Sequence, residues 1–254
     1  IEEIYNAGAA GQDLKSLLDT DDDDGDGLPN SWEDAKLGPG AKDDDGTVNP
    51  DFGAAGDPDM DSSTNIDEFN NGTEPNDDDT DDDGLLDGYE TNTDVYNSAT
   101  DTGTDPLNDD SDGDGLLDGL EDNSGTYDPG DVDGKTGTNP NLLDSDSDTM
   151  PDGYEVDNQQ DPTVDDSSLD PDADDLSNLV EFGLGTDPQD DDSDDDFSKD
   201  GEENTIGTNP LVSDTDGDTI LDGYETNTGT YEDDEDTGTD PLNADTDGDG
   251  THDG

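Results

Sequence analysis

Residues Asp110–Glu121 read DSDGDGLLDGLE. Carboxylates stand at positions 1, 3 and 5 (Asp110, Asp112, Asp114), glycine at 6 (Gly115), an apolar residue at 7 (Leu116), a fourth carboxylate at 9 (Asp118) and Glu121 at 12. Short acidic side chains on alternate residues of a turning backbone converge on one point, and the glycine permits the positive φ of a sharp turn. A hard divalent cation such as Ca²⁺ takes six to eight oxygens at about 2.3–2.6 Å, and a twelve-residue loop offering them from positions 1, 3, 5, 7, 9 and 12 meets that demand. The stretch is therefore a candidate calcium loop, with the Leu116 carbonyl serving at position 7 and Glu121 closing the site with two oxygens.

The same register recurs eight more times, giving nine loops. The loop from Asp22 offers Asp24, Asp26, the Leu28 carbonyl, Asn30 and Glu33, and that from Asp57 offers Asp59, Asp61, Ser63, Asn65 and Glu68. From Asp79 the set is Asp81, Asp83, Leu85, Asp87 and Glu90; from Asp144 it is Asp146, Asp148, Met150, Asp152 and Glu155. The loop from Asp170 holds Asp172, Asp174, Leu176, Asn178 and Glu181, and that from Asp192 holds Asp194, Asp196, Ser198, Asp200 and Glu203. Asp214 begins a set with Asp216, Asp218, Ile220, Asp222 and Glu225. Asp245 begins the last, with Asp247, Asp249, Thr251 and Asp253, and this loop reads as truncated because position 12 lies beyond Gly254. Asn30, Asn65 and Asn178 replace Asp at position 9, where an amide oxygen or a bridged water still serves with one charge fewer. Position 6 is Ser62, Thr149, Asp175, Phe197 and Thr219 in five loops. Branched and aromatic residues resist left-handed geometry, so the loops with Thr149, Phe197 and Thr219 are expected to bend differently or to bind more weakly.

A second marker fixes the register independently. The tetrapeptide G-T-[DEN]-P ends at Pro75, Pro106, Pro140, Pro188, Pro210 and Pro241, each four residues before a loop start. It reads as a turn that aims the chain into the next loop. Loops start 22 residues apart at the closest (57 to 79, 170 to 192, 192 to 214), and polar excursions such as 91–102 lengthen other intervals. Apolar residues recur at positions 7 or 8 and 11, as in Leu28 and Trp32, Leu85 and Tyr89, Met150 and Tyr154, Ile220 and Tyr224. They offer each repeat a small contact with its neighbour, and a short helical turn is expected near position 12, for instance over 176–182. Trp32 reads as one of these packing residues, and His252, alone in the last loop, as a solvent-facing bystander.

Composition gives the reason such loops matter. The chain carries 81 Asp and Glu against 5 Lys and Arg, a formal net charge of −76, and only 22% hydrophobic residues. That balance ordinarily leaves a chain unfolded, because too little apolar surface offsets an ordering entropy of roughly 1–2 kcal/mol per residue. Occupancy at tenfold the dissociation constant contributes about 1.4 kcal/mol per site. Nine independent sites then supply roughly 13 kcal/mol, of the order of a whole domain's stability. Nucleic acid is excluded as a partner by charge, and no run approaches the roughly 20 apolar residues of a membrane span. Acid–base catalysis needs a carboxyl in a dry pocket with a second chemistry beside it; the sequence has neither, so no enzyme is expected.

The registered loops, and in particular DPDADDLSNLVEFGLGTDP (Asp170–Pro188) and SDTDGDTILDGYE (Ser213–Glu225), resemble the thrombospondin type 3 repeat in its cysteine-free bacterial form, with dockerin loops as near cousins. The resemblance covers residues 19–254. It implies an irregular, calcium-stabilised tandem repeat array of loops with short helical turns, little regular secondary structure and no conventional hydrophobic core. It further implies about nine or more Ca²⁺ ions per chain and an extracellular location, secreted or at the cell surface. The role expected is a rigid stalk, spacer or filament subunit that meets other copies of itself or a larger surface assembly. The alternative is an adhesive or calcium-sequestering module that binds a cell or mineral surface. Residues 1–18, with Ile4, Tyr5, Leu14, Leu17 and Leu18, are read as a cap on the array or a subunit contact.

Overall fold

A computed structural model describes residues 21–254, so the segment 1–18 lies outside the described residues. The chain divides into two compact units, Ile1–Leu143 and Asp144–Gly254. Among the described residues there is no β-strand, only isolated bridges between Ser98 and Asp101 and between Asp233 and Asp236. The described residues form five short helices, α1 (Asn30–Lys36), α2 (Asn65–Asn71), α3 (Asp152–Asp157), α4 (Asn178–Leu184) and α5 (Asp200–Ile206), with 3₁₀ turns at Ala41–Asp43, Asp87–Tyr89, Asp118–Leu120 and Asp222–Tyr224. The rest is irregular. None of these helices is long and apolar enough to cross a membrane.

The helices keep a register with the loops. Every α-helix opens on loop position 9, and so do the 3₁₀ turns at Asp87, Asp118 and Asp222. The residue before each is extended, as at Pro29 (φ −72°, ψ 135°) and Pro151 (φ −69°, ψ 143°). One helical turn then carries position 12 back toward the loop that precedes it. The expected turn over 176–182 is found as α4, two residues later. The Leu176 N–H is already committed to Asp174 Oδ1 at 2.6 Å, inside the loop. Helices of six or seven residues are far below the ~12–15 needed for stability alone, so tertiary contacts hold them.

The G-T-[DEN]-P tetrapeptide terminates α2, α4 and α5. Gly72, Gly185 and Gly207 have φ of 90°, 83° and 96°, and each donates its N–H to the carbonyl of the position-12 glutamate, Glu68, Glu181 or Glu203, at 2.7 Å. Glycine alone reaches that conformation without strain. Where a polar excursion replaces the helix, the chain returns to the same place. Thr102, Thr136 and Thr237 donate their N–H groups to the carbonyls of Tyr89, Leu120 and Tyr224 at 2.9, 3.0 and 2.9 Å.

Buried apolar side chains are few: Leu28, Ala41, Leu116, Met150 and Leu176. Four of the five occupy loop position 7. Aromatic residues link consecutive repeats, through Trp32 with Phe69 (centroids 5.6 Å apart, edge-on), Tyr154 with Phe182 (4.7 Å) and Phe197 with Tyr224 (5.3 Å, stacked). Trp32 is thus a packing residue, as its spacing indicated, and His252 is exposed.

Position 6 corrects one expectation. Ser62, Thr149, Asp175, Phe197 and Thr219 adopt φ of 84°, 93°, 80°, 79° and 88°, the same left-handed turn that Gly27, Gly84, Gly115 and Gly250 make. These loops bend as the glycine loops do and carry the strain instead, because the loop's own hydrogen bonds over-determine the turn. Left-handed geometry costs a residue with a Cβ roughly 1–2 kcal/mol. Thr149→Gly and Thr219→Gly are therefore expected to stabilise the folded chain by about 1 kcal/mol each and Gly115→Thr to destabilise it by a similar amount, read as shifts in thermal midpoint at fixed metal concentration.

Candidate metal sites

Each loop is closed by its own aspartates. Asp110 at position 1 accepts the Gly113 N–H on Oδ1 (2.7 Å) and the Gly115 N–H on Oδ2 (3.1 Å). Asp112 at position 3 accepts from the Asp114 N–H at 3.2 Å, and Asp114 at position 5 accepts from the Leu116 N–H at 2.7 Å. The pattern repeats from Asp22 (Gly25 at 2.7 Å, Gly27 at 3.2 Å) to Asp214 (Gly217 at 2.8 Å, Thr219 at 2.9 Å). Even the last loop has it. Asp245 accepts from Asp249 (3.0 Å) and Gly250 (2.9 Å), and Asp249 from Thr251 (2.9 Å), although Asp247 and Asp249 are exposed. The turns are therefore local products of Asp–backbone bonding. Carboxylate oxygens of Asp22, Asp24 and Asp26, of Asp57, Asp59 and Asp61, of Asp79, Asp81 and Asp83, and of Asp110, Asp112 and Asp114 gather within 4.8 Å of one another in their respective loops.

Position 12 closes the cage. All eight glutamates, Glu33, Glu68, Glu90, Glu121, Glu155, Glu181, Glu203 and Glu225, are buried, none more than 4% exposed. Both carboxylate oxygens of Glu33, Glu68, Glu155 and Glu181 are buried without a hydrogen-bond donor. Buried polar atoms are normally satisfied, and one left unpaired costs on the order of 1–3 kcal/mol or more for a charge. Burial, then the neighbouring aspartates, push these groups far up: Glu33 and Glu225 to about 7, Glu68, Glu181 and Glu203 to about 8, Glu90 and Glu121 to about 9, Glu155 to about 10. The aspartates at position 3 follow, with Asp81, Asp146, Asp172 and Asp194 raised to about 6 by burial. A cage of carboxylates that cannot comfortably ionise together is what a bound cation would reverse.

Position 7 supplies core rather than surface. Leu28, Leu116, Met150, Leu176, Ser63 and Ser198 are buried, Leu85 and Ile220 half-buried, and Thr251 exposed. Position 9 behaves in a way the spacing does not announce. Its Oδ1 accepts the N–H of position 2 in its own loop, as Asp87 does from Thr80 (2.8 Å), Asp118 from Ser111 (2.8 Å), Asp152 from Ser145 (2.8 Å), Asp200 from Ser193 (2.9 Å), Asp222 from Thr215 (2.9 Å) and Asn30 from Asp23 (2.9 Å). Asp253 does the same through Oδ2, from the Thr246 N–H at 2.9 Å. Its charge, however, is felt in the preceding loop. Asp118 acts on Asp83, Asp87 on Asp61 and Glu68, and Asp222 on Asp196 and Glu203.

One functional residue escaped the spacing argument. The threonine of G-T-[DEN]-P, read as part of a turn, is buried at Thr73, Thr104, Thr138, Thr186 and Thr208. Thr104 Oγ1 donates to Glu90 Oε1 at 3.0 Å, and the hydroxyls of Thr138 and Thr239 act on Glu121 and Glu225 in the sense that favours the ionised form. Its signal was visible: the repeats with excursions carry a longer T-G-T, and Thr102 pairs with Thr104 (2.7 Å), Thr136 with Thr138 (2.6 Å) and Thr237 with Thr239 (2.6 Å).

No family model, no curated protein and no solved structure matches the chain.

The raised glutamates give stability a definite pH sign. A folded-state pKa above the unfolded value means that the folded chain holds more protons between the two, so stability falls as pH rises through that interval. For Glu90 and Glu121 the window runs from the ordinary 4.5 to about 9. The metal-free chain is expected to be most compact near pH 4–5 and to lose structure toward pH 9, as followed by circular dichroism. Saturating calcium is expected to abolish that dependence over the neutral range.

Proposed function

We propose that the chain binds calcium in its acidic loops, that binding and folding are one process, and that the folded array is a structural element of a secreted or cell-surface assembly. The observation that carries this reading is the burial of donorless carboxylate oxygens at position 12, next to three aspartates of the same loop. Oxygen-only donors in this number suit a hard cation, and the flexible carboxylate set suits calcium better than magnesium, which demands near-octahedral geometry and keeps its water. Eight loops present all the expected donors, and the proposal assigns one calcium site to each of them.

Calcium supplies the charge neutralisation that lets these carboxylates share a small volume. The chain's own residues supply shape: position 1 fixes the turn, positions 3 and 5 add oxygens, and position 12 closes the site on a helical turn. Extracellular calcium modules work at roughly 10⁻⁴–10⁻³ M, and fluids at that concentration keep many such sites filled together. A repeat that meets mainly its neighbours through one aromatic pair and one loop makes an extensible spacer. Its surface stays strongly acidic, since nine divalent ions offset only a fraction of the formal −76. The likeness to thrombospondin type 3 repeats belongs to the same proposal, as does the role of filament or stalk subunit.

The test is a chelator titration of the full chain followed by circular dichroism and small-angle scattering. Removal of calcium is expected to expand the chain toward the roughly 55 Å radius of gyration of an unfolded polymer of this length. Added Ca²⁺ restores the compact form, and Mg²⁺ at the same concentration restores it poorly. A scattering profile indifferent to chelation would sink the proposal. Glu121→Gln is expected to remove one equivalent from the calcium stoichiometry measured by calorimetry.

A further inference from the structure

Position 9 holds carboxylates that the single-loop reading leaves half explained. Asp118 is fully buried, and its Oδ1 is occupied by the Ser111 N–H of its own loop. Its Oδ2 has no hydrogen-bond partner, and neither has Oε2 of Glu90, a residue only 3% exposed. Asp83, Glu90 and Asp118 bring one oxygen each within 4.8 Å of one another. Two of those residues, positions 5 and 12, belong to the loop from Asp79; the third is position 9 of the loop from Asp110. An acidic trio of this kind, buried and with one oxygen of each carboxylate unpaired, spans the seam between two repeats.

We propose that the calcium ion of the loop from Asp79 is co-ligated by Asp118, position 9 of the following loop, and that of the loop from Asp192 by Asp222 in the same way, so that one ion joins two consecutive repeats and neighbouring sites fill cooperatively. The inference rests on the calcium reading above. Three further observations support it. The same backbone approach recurs where spacing is short: the Gly223 N–H, one residue after Asp222, donates to Asp196 Oδ2 of the preceding loop at 3.3 Å, and Gly201 does so to Asp174 at 2.8 Å, although there Asp200 Oδ2 is taken by the Ser193 hydroxyl at 2.6 Å. A Cβ on Gly119 would stand 2.3 Å from the Asp83 carbonyl oxygen, so the residue after position 9 is held tightly against the preceding loop. Where position 9 is the amide Asn178, a linker carboxylate takes over. Asn178 Nδ2 grips Asp166 at 3.1 Å (O) and 3.0 Å (Oδ1), and the charge of Asp166 acts on Asp148 and Glu155 of the preceding loop.

The arrangement gives the coupling a route. Asp118 and Glu121 share one 3₁₀ turn, Asp118–Leu120 with Glu121 as its cap. An ion that fixes Glu121 in its own loop also fixes Asp118 for the loop before it. By linkage, filling either site raises the affinity of the other by the same factor.

The experiment uses Asp118→Asn in the full chain, titrated with calcium chloride and read by NMR at two position-6 amides. Gly84 reports the preceding loop and Gly115 reports Asp118's own, since each donates to its position-1 aspartate (3.0 and 3.1 Å). Asn retains an oxygen for the Ser111 N–H and turns an amide nitrogen toward the trio. The calcium midpoint at Gly84 is expected to rise roughly tenfold, as for the loss of one charged ligand, with a smaller rise at Gly115 from the lost coupling alone. Asp122→Asn, which removes the same charge one residue past Glu121, is expected to move neither midpoint by more than about twofold. A shift at Gly115 alone, an equal shift at both, or no shift at either overturns the shared ligand and leaves calcium binding intact. Wild-type amides that ignore calcium overturn the calcium reading, and this inference with it. If Asp118→Asn fails to reach a wild-type-like spectrum at saturating calcium, Asp222→Asn, read at the Phe197 and Thr219 amides, decides by the same outcomes.

Discussion

Like charges confined to one small, water-poor volume repel, and that repulsion is the constraint on which the rest of the structure depends. Ordinary domains bury hydrocarbon and leave carboxylates in water. Here the side chains with almost no exposure are mainly acidic, with Glu33, Glu68, Glu155, Glu181 and Glu203 beside only a handful of leucines and Met150. Burial is the main cause that raises their pKa, and neighbouring aspartates raise it further. Protons or cations must compensate, and the donorless oxygens set the geometry in which they do so.

The architecture divides that task among layers. Loop shape is local, because a position-1 aspartate gathers the N–H groups three to five residues on, as Asp245 does. The closing carboxylate is delivered by a helical turn too short to stand by itself, which ends on a glycine that bonds the same glutamate's carbonyl. Within each unit, adjacent repeats are joined at several seams by an aromatic pair or by a backbone N–H reaching the preceding loop's position-5 aspartate, as at Asp61, Asp174 and Asp196. None of these devices needs a large apolar core. Each needs the acidic cluster to be electrically tolerable, which is why folding and cation binding are proposed as a single event.

A shared position 9 changes what kind of repeat protein this would be. Independent loops would soften one by one as calcium falls, whereas seams bridged by ions would fail together. A spacer of the second kind keeps its form over a range of calcium concentrations and then loses it abruptly. The strained left-handed residues, such as Phe197 and Thr219, are tolerated in the same way: the loop's hydrogen bonds leave them no other conformation.

Sequence alone determined the period, the nine loop registers and the cage chemistry. These depend on which residue types stand at fixed separations along a chain that turns locally. It also indicated the irregular fold, since so little apolar surface can neither pair sheets nor bundle helices. Its expectation of a different bend at position 6 failed, because steric preference yielded to the loop's own bonds, and it read the tetrapeptide threonine as mere turn. Tertiary structure decided what meets across repeats: Thr104 on Glu90, Trp32 on Phe69, and Asp118 beside Asp83 and Glu90 rather than only within its own loop. Those pairings depend on how one turn is laid against the next, and residue spacing within a single loop carries no information about that.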